Sequence, residues 1–307
     1  MKILFTGATG VLGRAAVPRL VEDGHDVIAV SRSPEGASWL EEHGARPEAV
    51  ELFDPSAVDH ALPGVDTVVH FATAIPPMSN MTKRKSWEMN DRLRSEATGI
   101  LVDAAIANDV SRFVQQSVTF AYRDGGETWL DENSEMEPGW DVLDSALDAE
   151  AHVNRFRTAG GTGVTLRLSR LYGPGKVSGD FVAGVADRKV PVVGAGDNYV
   201  SSIHVADVAS ALAAAMNVTD GTYNVGDDEP VTSAVYTDTL ADLIDAPRPR
   251  RIPPVVARLA VGRAVTLLTT SQRVSNQRFR EATDWTPAFP SVREGWRDVV
   301  DANQRQR

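Results

Sequence analysis

The chain has 307 residues, 42% hydrophobic and 24% charged, which suits a globular protein of one large α/β domain or two linked ones. Its formal net charge of −11 argues against a nucleic-acid binder, which carries a basic face. The lack of cysteine removes disulfides, thiolate catalysis and sulfur-ligated metals together, and the 6 histidines show no paired ligand spacing, so no metal is expected.

In chain order, "KILFTG" predicts a strand, "GRAAVPRLVEDG" a helix and "DVIAVSR" a second strand. "ASWLEEHG" reads as a helix, "AVELF" as a short strand, "SAVDHALPG" as a short helix and "DTVVHFAT" as a strand. A long helix is expected over Trp87 to Asn108, followed by the strand "RFVQQSV". The alternation predicts a parallel sheet with helices on both faces. The strands are apolar throughout, as when both faces are covered. The second half is more irregular: "GVTLRLSRLYGPG" is a strand running into a turn, "YVSSIHVADVASALAAAM" a strand end and helix, and "GTYNVG" another strand. "DAPRPRRIPP" reads as a surface connection. "VVARLAVGRAVTLLTT" carries Arg258 and Arg263 and is too short to span a bilayer, so it is expected as an amphipathic helix with no membrane partner. A strand beginning at once leaves no room for a signal peptide, and with no cysteine the expected location is cytoplasmic.

"TGATGVLG" links the first strand to the first helix. Gly7, Gly10 and Gly13 allow a tight turn, close backbone approach to a pyrophosphate and close helix–strand packing. The helix N-terminus adds unpaired N–H groups and partial positive charge. Gly7, Ala8, Thr9, Gly10, Val11, Leu12 and Gly13 are therefore candidate cofactor-binding residues. An acid ending the second strand would favour NAD(H). Here the strand ends with Ser31 and Arg32, and a guanidinium there pairs with a 2′-phosphate, so NADP(H) is expected over NAD(H).

These motifs resemble the short-chain dehydrogenase/reductase superfamily, in its extended branch of NAD(P)-dependent epimerases, dehydratases and reductases. "TGATGVLG", "GVDTVVHFAT", "LRLSRLYGPG", "SIHVADVASAL", "GTYNVGDDEPVT" and the tail "FREATDWTPAFPSVREGW" occur in the order that family shows. The resemblance implies a Rossmann-like, doubly wound parallel sheet with a smaller C-terminal substrate lobe. It places residues 1–173 in the nucleotide-binding domain, to which 200–226 return, and 174–199 with 227–307 in the lobe. It implies that Glu51 and Leu52 flank the adenine and that Phe71, Ala72 and Thr73 lie against the cofactor. A homodimer through the helices after the fourth and fifth strands, about 87–108 and 143–158, is also an expectation from relatives.

The family's usual chemistry uses a tyrosine, a lysine four residues later on the same helix face, and a serine or threonine. In "DVLDSALDAEAHVNRF", Ser145 and Glu150 keep the family's register and put Val142 in the tyrosine position and Ala146 in the lysine position. Counting back from Tyr122 puts Val118 in the serine position, and no tyrosine occurs between Tyr122 and Tyr172. Ser117 and Tyr122 remain as catalytic candidates. Ser117 neighbours the vacant position, but adjacent strand residues face opposite ways, and Tyr122 matches a packed tyrosine of relatives. Arg170 lies where the family's loop faces substrate and is a candidate grip for a carboxylate or phosphate. His204 and Asp207 are expected to organise structure, His70 to be a packed strand residue, and Lys83, Arg84 and Lys85 to be a solvated charge run, the alternative being a basic loop that reaches over the cleft to an anionic substrate.

The expected function is an atypical NADP(H)-dependent oxidoreductase or isomerase/epimerase that acts on a small, activated substrate without a Tyr–Lys dyad. The alternative is a non-catalytic NADP(H)-binding sensor.

Overall fold

The structure, a computed structural model, describes residues 1–305. The chain runs β1 (Lys2–Thr6), α1 (Val11–Glu22), β2 (Asp26–Val30), α2 (Pro34–Glu42), β3 (Arg46–Glu48), α3 (Pro55–Ala61) and β4 (Thr67–His70). A helix in three parts follows: α4 (Glu88–Arg92), a π turn over Leu93–Ala97, and α5 (Thr98–Ala107). Then come β5 (Arg112–Val118), β6 (Trp129–Leu130), α6 (Asp144–Thr158), β7 (Thr162–Leu168) and β8 (Arg170–Tyr172). The remainder is α7 (Gly179–Ala186), β9 (Val192–Val193), β10 (Tyr199–Val200), β11 (Ser202–His204), α8 (Val205–Ala215), β12 (Gly221–Val225), β13 (Val231–Thr232) and α9 (Ser233–Leu243). It ends with β14 (Arg251–Ile252), α10 (Pro254–Val261), α11 (Thr266–Thr269), β15 (Arg273–Val274), α12 (Gln277–Thr283) and α13 (Val292–Arg305).

Seven strands form one parallel sheet in the order β12-β7-β5-β4-β1-β2-β3. The winding reverses between β1 and β4, which opens a crevice at their carboxyl ends. Strand parity divides the core. Ile3, Phe5, Val27, Ala29 and Val69 face α1 and α8, while Leu4, Ile28, Val68 and Phe113 face α3, α5 and α6. Both sets are buried, which explains why the strands carry no polar alternation. A third core of Tyr172, Val185, Tyr236, Leu240, Trp296 and Val299 lies beyond the sheet, built from β8, α7, α9 and α13.

Two elements differ from expectation. The short strand lies at Arg46–Glu48 rather than in "AVELF". Its partner β2 ends where Val30 meets Glu48, and the chain then turns from Glu51 into Asp54, whose carboxylate accepts from Ser56 N and caps α3. The helix expected over Trp87–Asn108 is interrupted by the π turn. There the Leu93 carbonyl accepts from His70 Nε2 at 3.1 Å and from the Thr98 hydroxyl at 3.3 Å instead of relying on the helix ladder alone.

Candidate active site

The loop leaving β1 is built by close approach. Gly7 has φ +84°, and a Cβ there would lie 2.5 Å from Ala72 N and the Phe71 carbonyl carbon, so this loop and the one leaving β4 touch. A Cβ on Gly13 would lie 2.3 Å from the Ala8 carbonyl oxygen, so α1 packs directly on the turn. Gly10 is different: its φ of −76° and ψ of 179° are open to any residue, and a Cβ would meet only the Gly7 oxygen, at a tight 3.2 Å that a shift of a few tenths of an ångström relieves. The space beyond it is open. α1 has no side-chain cap and no acid in its first turn, whereas α2 is capped by Ser33. The open N–H groups and the bare Gly10 backbone together fit a pyrophosphate.

On the β2 side of this loop, Ser31 is buried and donates to the Ser33 carbonyl, while Arg32 is exposed. Gly36 of α2 approaches Thr9, since a Cβ there would lie 2.8 Å from the Thr9 methyl. Arg14, a residue the sequence reading missed, lies on the same rim: its Nε donates to the Thr9 carbonyl at 3.0 Å and its guanidinium stacks over Trp39 at 4.6 Å. Neither Arg14 nor Arg32 has a carboxylate within ion-pair distance among the described residues. Glu51 is exposed in a turn, and Leu52 packs on the core face of β2.

On the β4 side, Phe71 is buried edge-on against Phe5, and Ala72 and Thr73 become progressively exposed along the crevice. His70 is fully buried between the Thr6 hydroxyl and the Leu93 carbonyl. Burial pushes its pKa down to about 4, so it is a neutral tie between β1, β4 and the π turn. Asn90 Oδ1 accepts from Ala74 N, just beyond Thr73, while Asn90 Nδ2 and Arg94 Nε are buried without hydrogen-bond partners.

The wall toward β5 and α6 is apolar. Val118, Val142 and Ala146 are buried with Trp87, Trp140, Leu143 and Ala264, and the two indoles meet edge to face at 5.5 Å. Phe120 and Leu267 pack against this cluster. Arg84 pairs with Asp91 and Asp141, which ties the basic loop to the turn before α6. Ser117 and Tyr122 face another network: Ser117 Oγ donates to Glu150 at 2.6 Å, and Tyr122 donates to Asn224 at 2.8 Å while accepting from Arg167 at 2.7 Å. Burial pushes the Tyr122 hydroxyl up to about 12.

Arg170 lies where β8, Phe120, α9 and α11 converge. Its Nη2 donates to the Leu267 carbonyl at 3.1 Å, its Nε is buried without a partner, and Phe120 and Tyr236 lie 5.7 and 5.8 Å from its guanidinium carbon. Among the described residues no carboxylate pairs with it. His204 caps α8 and Asp207 accepts from Ala288 N and Phe289 N, so both fasten the α8 start to the C-terminal tail.

Asp227, which follows β12, was not singled out by sequence. It is 2% exposed, accepts from Ser202 Oγ at 2.7 Å, and leaves its other oxygen unpaired. Burial pushes this carboxyl up to about 8. Below about pH 4 the folded and unfolded chains both hold the proton; between there and about 8 only the folded chain does, so stability declines across that window. Asp227→Asn is expected to flatten the decline, matching the wild type at pH 4 and melting several degrees higher at pH 8. A pH series of thermal melts checks this, and parallel slopes would count against it.

Among the described residues no helix is long and apolar enough to cross a membrane, and no cluster of three or more metal-ligating side chains occurs. Residues 3–226 match the model of the NAD dependent epimerase/dehydratase family. A 3-diazoavenalumate denitrifying reductase from a Streptomyces species is 35% identical over 310 residues, covering 96% of this chain and 99% of that protein. A 2-alkyl-3-oxoalkanoate reductase from Stenotrophomonas maltophilia is 28% identical, covering 81% and 77% respectively. The fold is shared with UDP-glucose 4-epimerase of Thermotoga maritima (TM-score 0.80, 21% identity, 100% and 99% covered). It is also shared with a human epimerase family protein solved with NADPH (TM-score 0.77, 21% identity, 98% and 99% covered). With its switch-point crevice and glycine loop, the chain belongs to the NAD dependent epimerase/dehydratase family and is an NAD(P)-dependent oxidoreductase or epimerase-like enzyme.

Proposed function

We propose that the chain is an NADPH-dependent reductase of a small anionic electrophile that is already activated, with aromatic acids bearing a diazo group as the substrate class. The observation that carries this reading is the apolar wall of Val118, Val142 and Ala146, where nothing can titrate. In this reading the Tyr–Lys dyad is absent, and the reaction must proceed without a protein acid at that place. Deleting a general acid costs a carbonyl reduction about 10²–10⁴ in rate, because the product oxygen needs a proton. Replacing N2 by H at a diazonium carbon takes up one hydride and no proton, so the wall suits it. The name of the 35% identical relative, a denitrifying reductase of a diazo acid, supports the same class.

When bound, the reduced nicotinamide supplies the hydride. The chain's own residues do the rest. Gly7 to Gly13 and the open start of α1 hold the phosphates, and Arg32 with Arg14 receives the 2′-phosphate that separates NADPH from NADH. Ser31, Glu51 and Leu52 border the adenosine end; Phe71, Ala72 and Thr73 border the other. Trp87 and Trp140 stack near a planar substrate and exclude water, and Arg170 pairs with its carboxylate. Residues 174–199 and the described part of 227–307 form the lobe over the substrate. Ser117 and Tyr122 serve the scaffold rather than proton transfer.

The test follows NADPH absorbance with a diazotised aminocinnamate, against a control without protein. Turnover is expected with NADPH in preference to NADH. Arg32→Ala should weaken NADPH about tenfold and leave NADH unchanged. Arg170→Met should raise KM for the acid about tenfold or more but not for its methyl ester. Consumption of NADPH only with ordinary carbonyl acceptors would sink the reading. Nucleotide binding without turnover of any acceptor would favour a sensor instead.

A further inference from the structure

Arg94 is the least explained charge in the molecule. It lies in the π turn, is 3% exposed, and makes no hydrogen bond or ion pair among the described residues. A buried guanidinium is normally surrounded by acceptors, because leaving its charge uncompensated is expensive. The acid whose charge bears on it, Asp91, gives one oxygen to Arg84 at 2.5 Å and keeps the other buried without a hydrogen bond, so it offers Arg94 a neighbouring charge but no hydrogen-bonded acceptor. Burial accordingly lowers the Arg94 pKa to about 10. A guanidinium buried with no hydrogen-bonded acceptor of its own suits an acceptor that is not part of the chain.

Its position says which acceptor. Asn90 and Arg94 are four residues apart and share a helix face. Asn90 is hydrogen-bonded to Ala74 N, at the end of the loop whose start touches Gly7, and its Nδ2 is also buried and bare. His70, at the carboxyl end of β4, feels the Arg94 charge. The pair therefore faces the β4 side of the switch point. If the glycine loop takes the phosphates and the Arg32 rim the adenosine, the nicotinamide half falls on this side. The neighbouring helix sets the level. Ser95 Oγ donates to Asp148 at 2.7 Å, Gly99 lies against His152 and Asp103 pairs with Arg155, so the π turn and α5 run alongside α6 in parallel. That register puts Arg94 beside the turn of α6 that carries Ala146.

We propose that Arg94, with Asn90, holds the nicotinamide ribose–phosphate half of the cofactor and supplies, from the facing helix, a fixed positive charge beside the turn of α6 that carries Ala146. This rests on the nucleotide-dependent reading above. Arg94 lies within the π turn, and the Leu93 carbonyl just before it accepts from His70 and Thr98, which ties this turn to the end of β4.

The test compares wild type, Arg94→Met and Arg94→Lys by thermal melting and by titration with NADPH, 2′,5′-ADP and reduced nicotinamide mononucleotide. Arg94→Met is expected to melt at or above the wild-type temperature without ligand, because an apolar isostere removes a buried unpaired charge. It should bind 2′,5′-ADP as the wild type does and lose about 10–100-fold in affinity for NADPH, with a matching loss for the mononucleotide. Arg94→Lys should recover part of that affinity. Unchanged NADPH affinity in Arg94→Met overturns the proposal and leaves the nucleotide reading standing. A lowered melting temperature or loss of the fold assigns the guanidinium to the architecture and overturns it too, as does an equal loss for 2′,5′-ADP. Failure of the wild type to bind any of the three nucleotides fells the nucleotide reading first, and this inference with it.

Discussion

Gly10→Val is expected to fold as the wild type does and to lose nucleotide affinity roughly 100-fold or more, the equivalent of about two charge-assisted hydrogen bonds at 1.5–3 kcal/mol each. The contrast with its neighbours makes the result specific. At Gly7 the positive φ and the 2.5 Å approach to the β4 loop mean that any side chain disturbs the fold itself. At Gly13 a methyl group would enter the Ala8 carbonyl at 2.3 Å, with the same consequence. Gly10 has neither restraint: its backbone angles are open to any residue and its one close neighbour is the Gly7 oxygen at 3.2 Å. A valine there extends into open space in front of the α1 N-terminus, where the pyrophosphate is proposed to rest. The fold restrains this position only through the tight 3.2 Å approach to the Gly7 oxygen, so a large loss of affinity with little loss of stability would trace to the ligand. Melting curves with and without NADPH check the point. Gly10→Val should keep the ligand-free melting temperature within a few degrees and lose the rise on adding NADPH. A rise as large as that of the wild type would move the phosphates away from this loop.

The parts of this molecule that depend on local rules were readable from the chain. The strand runs, the glycine loop and the order of motifs fix the parallel sheet and its switch point, because each rests on neighbours in sequence: periodicity, turn chemistry, helix starts. The parts that depend on distant segments meeting were not. Arg94 is one charge among several in "NDRLRSEA", and only the packing of this helix beside β4 and α6 shows it to be buried. Trp87 and Trp140 come from segments with no shared pattern and meet over Val142. Arg14 is an ordinary first-turn arginine until Trp39 of α2 is placed beneath it. Ser117 and Tyr122 were visible as hydroxyls, but their commitment to Glu150, Arg167 and Asn224 depends on four separate strands and helices converging. Asp227 had no signal at all: an acid after a strand looks like a turn residue until burial is known.

The second large effect concerns that network. Glu150→Ala is expected to destabilise the protein by about 3–5 kcal/mol, a melting decrease on the order of 10 °C. Glu150 accepts from Arg167 Nε at 2.9 Å, Arg167 Nη2 at 2.7 Å and Ser117 Oγ at 2.6 Å, with both charged side chains about one tenth exposed. Removing the carboxylate leaves Arg167 with the Tyr122 hydroxyl and the Glu132 carbonyl, neither of which carries a compensating charge. The cost is that of a stranded cation rather than the net worth of the pair, since charges brought out of water together nearly offset their own attraction. Glu150→Leu combined with Arg167→Met should therefore be markedly more stable than the sum of the single changes predicts, with a coupling of roughly 1–3 kcal/mol in a double-mutant cycle. Strict additivity would show that the two groups act independently. The same variants separate scaffold from chemistry. If Ser117 or Tyr122 moved a proton, loss of Glu150 would change the pH dependence of kcat as well as the stability. If the network only holds the end of β5 and the Val118 wall in place, the surviving folded enzyme keeps the wild-type pH profile while the melting temperature falls.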